Sequence, residues 1–226
     1  MSSDDISVVG RCGTDGEAGV TGADGVRGTD GKDGSHSLFS GCKTATAGTD
    51  GKNGLAGGDG GAGSDAGPAA WFAMKCTRFD LSSFLSVAAL GGQGGAGGRG
   101  GAGGKGGDGG KAGRQHKKCD QLPVMPAGKG GDGGQGGNGG SGGKGGDGGD
   151  IWVSYERSNL ERPVQARSQG GSGGASQSGA IGGTGGRGGT NGDGSPGIDG
   201  NNAANGHAGE SGQGGRGGDV SIWQTG

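Results

Sequence analysis

Glycine returns at every third residue through most of this chain, and no other feature so narrows what it can fold into. The repeats fall in six blocks, about 10–34, 48–63, 91–110, 130–149, 170–200 and 206–218, with lapses at Ser176 and Asn191. Ordering one residue costs roughly 1–2 kcal/mol of backbone entropy, and glycine lies at the costly end of that range. With 26% hydrophobic and 4% aromatic residues, no ordinary oil-drop core can offset that cost. Glycine-rich sequence without a period reads as disorder, so the period itself argues for close backbone packing.

A period of three matches the left-handed polyproline II type helix, which rises ~3.1 Å per residue and makes no internal hydrogen bonds. Its N–H and C=O groups must find partners on neighbouring rods or in water, and only glycine lets backbones approach closely enough. The blocks at 91 and 130 read Gly-Gly-X and are expected at the centre, with one open face; the first reads Gly-X-Y and is expected at an edge. Collagen is rejected, because the chain has five prolines where a triple helix needs far more. A rod of about 60 Å would need ~17 extended residues for a parallel return. The links at 35–47 and 201–205 are shorter than that, so neighbours are expected antiparallel. The fold expected is a single domain over 1–226: an antiparallel bundle of about six polyproline II-type (polyglycine II) helices. It carries a small β-strand cap (about 5–9, 151–156 and 220–223) and one short α-helix in a link, where Asp80 caps a turn bearing Leu81, Phe84, Leu85 and Ala88.

Antiparallel order sorts the features between two ends. Cys12 and Cys76 fall at one end and Cys42 and Cys119 at the other, which selects one of three connectivities; four unpaired thiols remain the alternative. Zinc is disfavoured, since there is no CxxC pair and the three histidines are scattered. The motif Asp-[Ile/Val]-x-[Val/Ile] occurs at Asp5, Asp150 and Asp219, always at the Cys12 end. There alternation predicts strands, and the expected apolar cap and assembly surface comprises Ile6, Val8, Val9, Ile151, Trp152, Val153, Tyr155, Val220, Ile222 and Trp223, joined by Trp71, Phe72 and Phe79.

Net charge is −2 with both signs interspersed, so no nucleic-acid footprint stands out. No basic-apolar leader and no apolar run long enough to span a bilayer is visible, so the chain is expected to be soluble without membrane insertion. Repeated GxGxxG is a trivial result of the repeat, no GK[ST] exists, and the single β-roll-like nonapeptide at Gly145–Val153 is read as coincidence. No nucleophile, base and orienter can be grouped, and the carboxylates read as solvated decorations. No catalytic residue, cofactor or metal is therefore expected. The densest basic stretch, Arg114 to Lys118, reads as a solvated loop.

The Gly-Gly-X rods with short loops resemble three families: springtail antifreeze proteins, the glycine-rich adhesins at the tips of some phage tail fibres, and, through Gly145–Val153, the N-terminal domain of Obg-type GTPases. The first two resemblances imply ice binding or receptor recognition through end loops. Charges such as Arg99, Lys105, Asp132 and Lys144 in the outward columns count against an ice-binding face. The function expected is a non-enzymatic structural protein that self-associates into, or decorates, a fibre. The alternatives are a tail-fibre adhesin whose partner is a cell-surface receptor or glycan, and an antifreeze protein. The location expected is an extracellular fibre or a virion surface.

Overall fold

The computed structural model describes residues 4–225, so of the domain expected over 1–226, Met1–Ser3 and Gly226 lie outside. The expected bundle of helices is corrected. No helix of any type occurs among the described residues, and the regular elements are eight strands in three small sheets. They are β1 (Ile6–Val9), β2 (Ser35–Ser37), β3 (Gly41–Lys43), β4 (Phe72–Phe79), β5 (Leu85–Leu90), β6 (Ile151–Ser158), β7 (Val164–Gln169) and β8 (Val220–Gln224). The α-helix expected after Asp80 is replaced by β5. Pairing with β1 on one side and β7 on the other overrides a helical spacing of apolar residues, and Val87, Ala88 and Ala89 are fully buried.

The glycine blocks carry neither helix nor strand. They run as six segments, 10–34, 46–70, 91–115, 126–150, 170–190 and 197–219, whose backbone hydrogen bonds pass between segments and never within one. Segments 1, 3 and 5 form one layer in parallel, from Gly13 N to Gln93 O and Gly94 N to Ser172 O. Segments 2, 4 and 6 form the other, as in Gly54 N to Asp132 O and Gly133 N to Asn201 O. Between layers, bonds such as Gly61 N to Glu17 O and Gly137 N to Gly101 O join antiparallel neighbours. The last reversal lies at 191–196, where Asn191 N donates to Ser195 O and Gly194 takes φ 91°, a left-handed value that glycine adopts without penalty. The five residues 201–205 expected as a link therefore lie inside segment 6.

Glycine is used here for approach distance. A Cβ on Gly98 would overlap the Glu17 carbonyl, and one on Gly134 the Leu55 carbonyl. Where the packed column of segment 5 lapses to Gln177 and Ala180, the bond from Gly100 N to Ser178 O lengthens to 3.4 Å, against 2.9 and 3.0 Å on either side.

In many repeats a third N–H is accepted by a side chain of the neighbouring segment. Asp15, Asp24, Asp30 and Asp33 bind the N–H groups of Ala96, Lys105, Lys111 and Arg114, each at 2.8 Å. Asp50, Asn53, Asp59 and Asp65 do the same from segment 2 to segment 4. The carboxylates are thus backbone acceptors as well as solvated groups, which corrects the reading of them as decorations alone.

At one end each layer becomes a parallel sheet. β1, β5 and β7 lead into segments 1, 3 and 5, while β4, β6 and β8 continue segments 2, 4 and 6, in the orders β1-β5-β7 and β4-β6-β8. The two sheets enclose the apolar core: Ile151, Val153, Val87 and Ala89 fully buried, Phe79, Tyr155 and Val164 nearly so. Phe79 and Tyr155 meet edge to face with centroids 5.4 Å apart.

Candidate functional site

The end opposite the sheets gathers the links at 35–45 and 116–125. β2 and β3 pair as a hairpin with His36 opposite Cys42. Its turn is closed by Ser37 Oγ, which accepts the Phe39 N–H at 3.2 Å, and by Gly41 at φ 68°. Leu38 and Phe39 at its tip are 88% and 100% exposed. The hairpin is tied down by the Cys42–Cys119 disulfide, with Cys119 fully buried. The His36 ring also stacks on His116 at 5.7 Å. Gln115 Oε1 accepts the Ala45 N–H at 3.1 Å, and its amide donates to the Pro123 carbonyl at 2.9 Å. Lys43, Arg114, Lys117 and Lys118 stand exposed around this base. The arrangement is an apolar tip on a basic, cross-linked support, suited to contact with another surface. No cluster of three or more His, Cys, Asp or Glu fit to hold a metal occurs among the described residues.

The other expected cysteine pair does not form: Cys12 is exposed and free, Cys76 partly buried and free. Sharing an end is insufficient, because a disulfide needs Cα atoms within about 7 Å. Cys12 follows β1 in one layer, while Cys76 alternates with Phe72 and Met74 toward the core from the other layer, where burial pushes its thiol pKa up.

The expected cap residues divide. Ile151, Val153 and Tyr155 are core, and Ile6 packs against them. Val9 is 60% exposed, Val220 43% and Ile222 38%, and Val8 lies in β1 between Ser7 and Val9. Trp71, Trp152 and Trp223, expected to supply apolar burial, are instead exposed, because strand alternation sends Trp152 outward wherever Ile151 and Val153 go inward. The core partners that sequence reasoning missed are Val87, Ala89 and Val164; the alternation of Val164-Gln-Ala-Arg-Ser-Gln was the available signal for β7.

Three carboxylates titrate below the ordinary range. Asp4 is held down by bonds from Arg167 (2.7 Å) and Ser86 Oγ (2.9 Å), Asp30 by the Lys111 backbone N–H and then Arg27, and Asp193 by Ser195. A folded pKa below the unfolded value gives stability that is present above the unfolded pKa and lost as pH falls through the folded one. The melting temperature is therefore expected to hold from neutral pH down to about the ordinary aspartate value of 3.8 and to fall below it. Asp30→Asn, which keeps an acceptor for Lys111 but cannot titrate, should make that fall shallower in a calorimetric pH series.

No family model and no curated protein matches the chain. Among solved structures, the nine polyproline type II helical bundle springtail antifreeze protein from Granisotoma rainieri matches at 24% identity over 90% of this chain and 96% of that one, with a TM-score of 0.14. A likeness at that score carries no argument about fold or function. The resemblances to tail-fibre adhesins and to the Obg-type domain gain no support from these comparisons.

Proposed function

We propose that the chain is a non-enzymatic structural protein, a rigid block that decorates a fibre or particle without growing sideways. The observation that carries this reading is the closure of both lateral edges by side chains. Along segments 1 and 2, Thr14 N–H donates to Ser64 Oγ at 2.8 Å, Thr29 N–H to Thr49 Oγ1 at 2.7 Å and Lys32 N–H to Thr46 Oγ1 at 2.7 Å. Thr14, Glu17 and Val20 occupy on segment 1 the column that Gly95, Gly98 and Gly101 occupy on segment 3, so a further segment cannot approach at lattice distance. Along segments 5 and 6, Asn205, Asn202 and Asp199 accept the N–H groups of Gly182, Gly185 and Gly188, which would otherwise be open to a new neighbour. One disulfide is compatible with an extracellular location. No helix among the described residues is long and apolar enough to cross a membrane.

Electron microscopy and sedimentation over a concentration series will test this, and discrete particles are expected. Sheets or ribbons widening by lateral addition would overturn the reading. Long fibres would shift weight to the edge strands β1 and β8 as assembly elements, and deletion of Met1–Val9 would then return monomers. Receptor binding through the end loops is the second reading, favoured by the exposed Leu38–Phe39 tip.

A further inference from the structure

All three tryptophans of the chain stand on one face. In β4-β6-β8 the register pairs Phe72 with Ile151, Ala73 with Trp152, Trp152 with Ser221, and Ser154 with Trp223. Trp71, one residue before β4, lies level with Asp150, so the indoles descend diagonally across three strands, two residues lower on each. They are 66%, 45% and 47% exposed, and the Trp71 and Trp152 ring centroids lie 6.2 Å apart. With neighbouring strands ~4.8 Å apart and a rise of ~3.3 Å per residue, the stripe spans about 16 Å. None of the three belongs to the buried core. Tryptophan left in water on a rigid sheet is unfavourable unless something covers it.

The face itself limits what that something is. Three strands of eight, eight and five residues make a planar footprint of only about 330 Å², small beside the roughly 800 Å² of accessible surface that each partner buries in a stable protein interface. Its polar neighbours are Lys75, level with Ser154, together with Glu156, Ser221 and, level with Trp71, Asp150 and Asp219, so carboxylates outnumber the one ammonium and a strongly anionic ligand is not favoured. A row of exposed indoles, the first two inclined by 41°, flanked by hydroxyl, ammonium and carboxylate groups fits a ligand with apolar C–H faces and hydroxyl edges. The electron-rich ring face attracts the slightly positive C–H hydrogens, and the polar groups take the hydroxyls.

We propose that the outer face of β4-β6-β8 is a carbohydrate-binding platform for a neutral polysaccharide of flat, equatorially substituted pyranose rings, which stack along Trp71, Trp152 and Trp223. The site lies at the opposite end from the hairpin, and it is independent of whether the block decorates a fibre.

The full chain is titrated with cellohexaose and chitohexaose, following tryptophan fluorescence and heat, with maltohexaose as the curved α-linked control. Binding of a β-linked hexasaccharide tighter than about 1 mM is expected, with weaker binding of maltohexaose. At least a tenfold loss is expected in Trp152→Ala, and a similar loss in Trp223→Ala if Trp152→Ala lowers the melting temperature. Phe39→Ala should change nothing; a loss confined to Phe39→Ala would move recognition to the loop end and overturn the platform. No binding of either β-linked hexasaccharide at millimolar concentration, or binding indifferent to Trp152 and Trp223, would also overturn it. A concentration-dependent dimer abolished by Trp152→Ala, without sugar binding, would assign the face to a second copy of the chain instead. The decoration reading stands or falls on particle shape, so the two can fail separately.

Discussion

Gly98→Ala is expected to lower stability by about 4 kcal/mol, while Gly214→Ala leaves it within about 0.5 kcal/mol or raises it slightly. The added Cβ at Gly98 overlaps the Glu17 carbonyl, a backbone atom that cannot rotate away. Segments 1 and 3 must then part, which adds overpacking strain of about 1–3 kcal/mol to the loss of bonds worth roughly 1 kcal/mol each. The nearest of these bonds are Gly16 N to Ala96 O and Gly19 N to Arg99 O, both 2.8 Å. At Gly214 a Cβ would meet only the Gly171 carbonyl oxygen at 3.5 Å, ordinary contact, and alanine restricts the unfolded chain. For a chain of this length about 4 kcal/mol is a fall of roughly 8–16 °C in melting temperature, which calorimetry resolves easily. Equal melting temperatures for the two variants would mean that the interior is looser than its hydrogen bonds require.

Cys42→Ser with Cys119→Ser is the second large effect. The bridge closes a loop across a sequence separation of 77, for which the chain-entropy account gives about 4 kcal/mol. A loss of about 2–4 kcal/mol is expected, because the hairpin keeps its Gln115 bonds. Cys12→Ser and Cys76→Ser should form no such contrast with wild type beyond the modest packing cost at Cys76. A thiol titration of the denatured, unreduced protein should find the two free cysteines, Cys12 and Cys76. Finding none would restore the second pairing; a melting temperature indifferent to the Cys42 and Cys119 changes would show that the loop end frays independently of the lattice.

Much of the local pattern was legible. Glycine spacing located segments 1, 3 and 4 to within a few residues, since a bare position is required wherever two backbones touch. At Asp150 and Asp219 the Asp-[Ile/Val]-x-[Val/Ile] motif marked where segments meet strands, and at Asp5 it marked the start of the strand that leads into segment 1. Its acid serves the backbone locally, since Asp5 accepts the Ser86 N–H and Asp150 that of Asp219, each at 2.8 Å. The strands β5 and β7 were less legible, because Leu85–Leu90 carries apolar spacing that also suits a helix, and only flanking strands decide between the two. The hairpin was hidden in a link with no Asn-Gly turn to announce it. Of the candidate sites, the Cys42–Cys119 bridge was anticipated, whereas the exposed tryptophan face was read as interior.

What the sequence determined by itself is where backbones can touch and where they cannot, because the absence of a Cβ is a local property that no neighbour can alter. It also determined which residues alternate, and so which share a face. Which face turns inward was decided only by tertiary structure. Ile151 and Trp152 are both large and apolar, and only the opposing sheet, carrying Val87, Ala89 and Val164, selects the first for burial and leaves the second in water. The number of segments per layer was decided the same way. Each edge closes because particular Thr, Ser, Asn and Asp side chains reach a neighbour 11–50 residues away in sequence, a proximity that exists only once the layers are stacked.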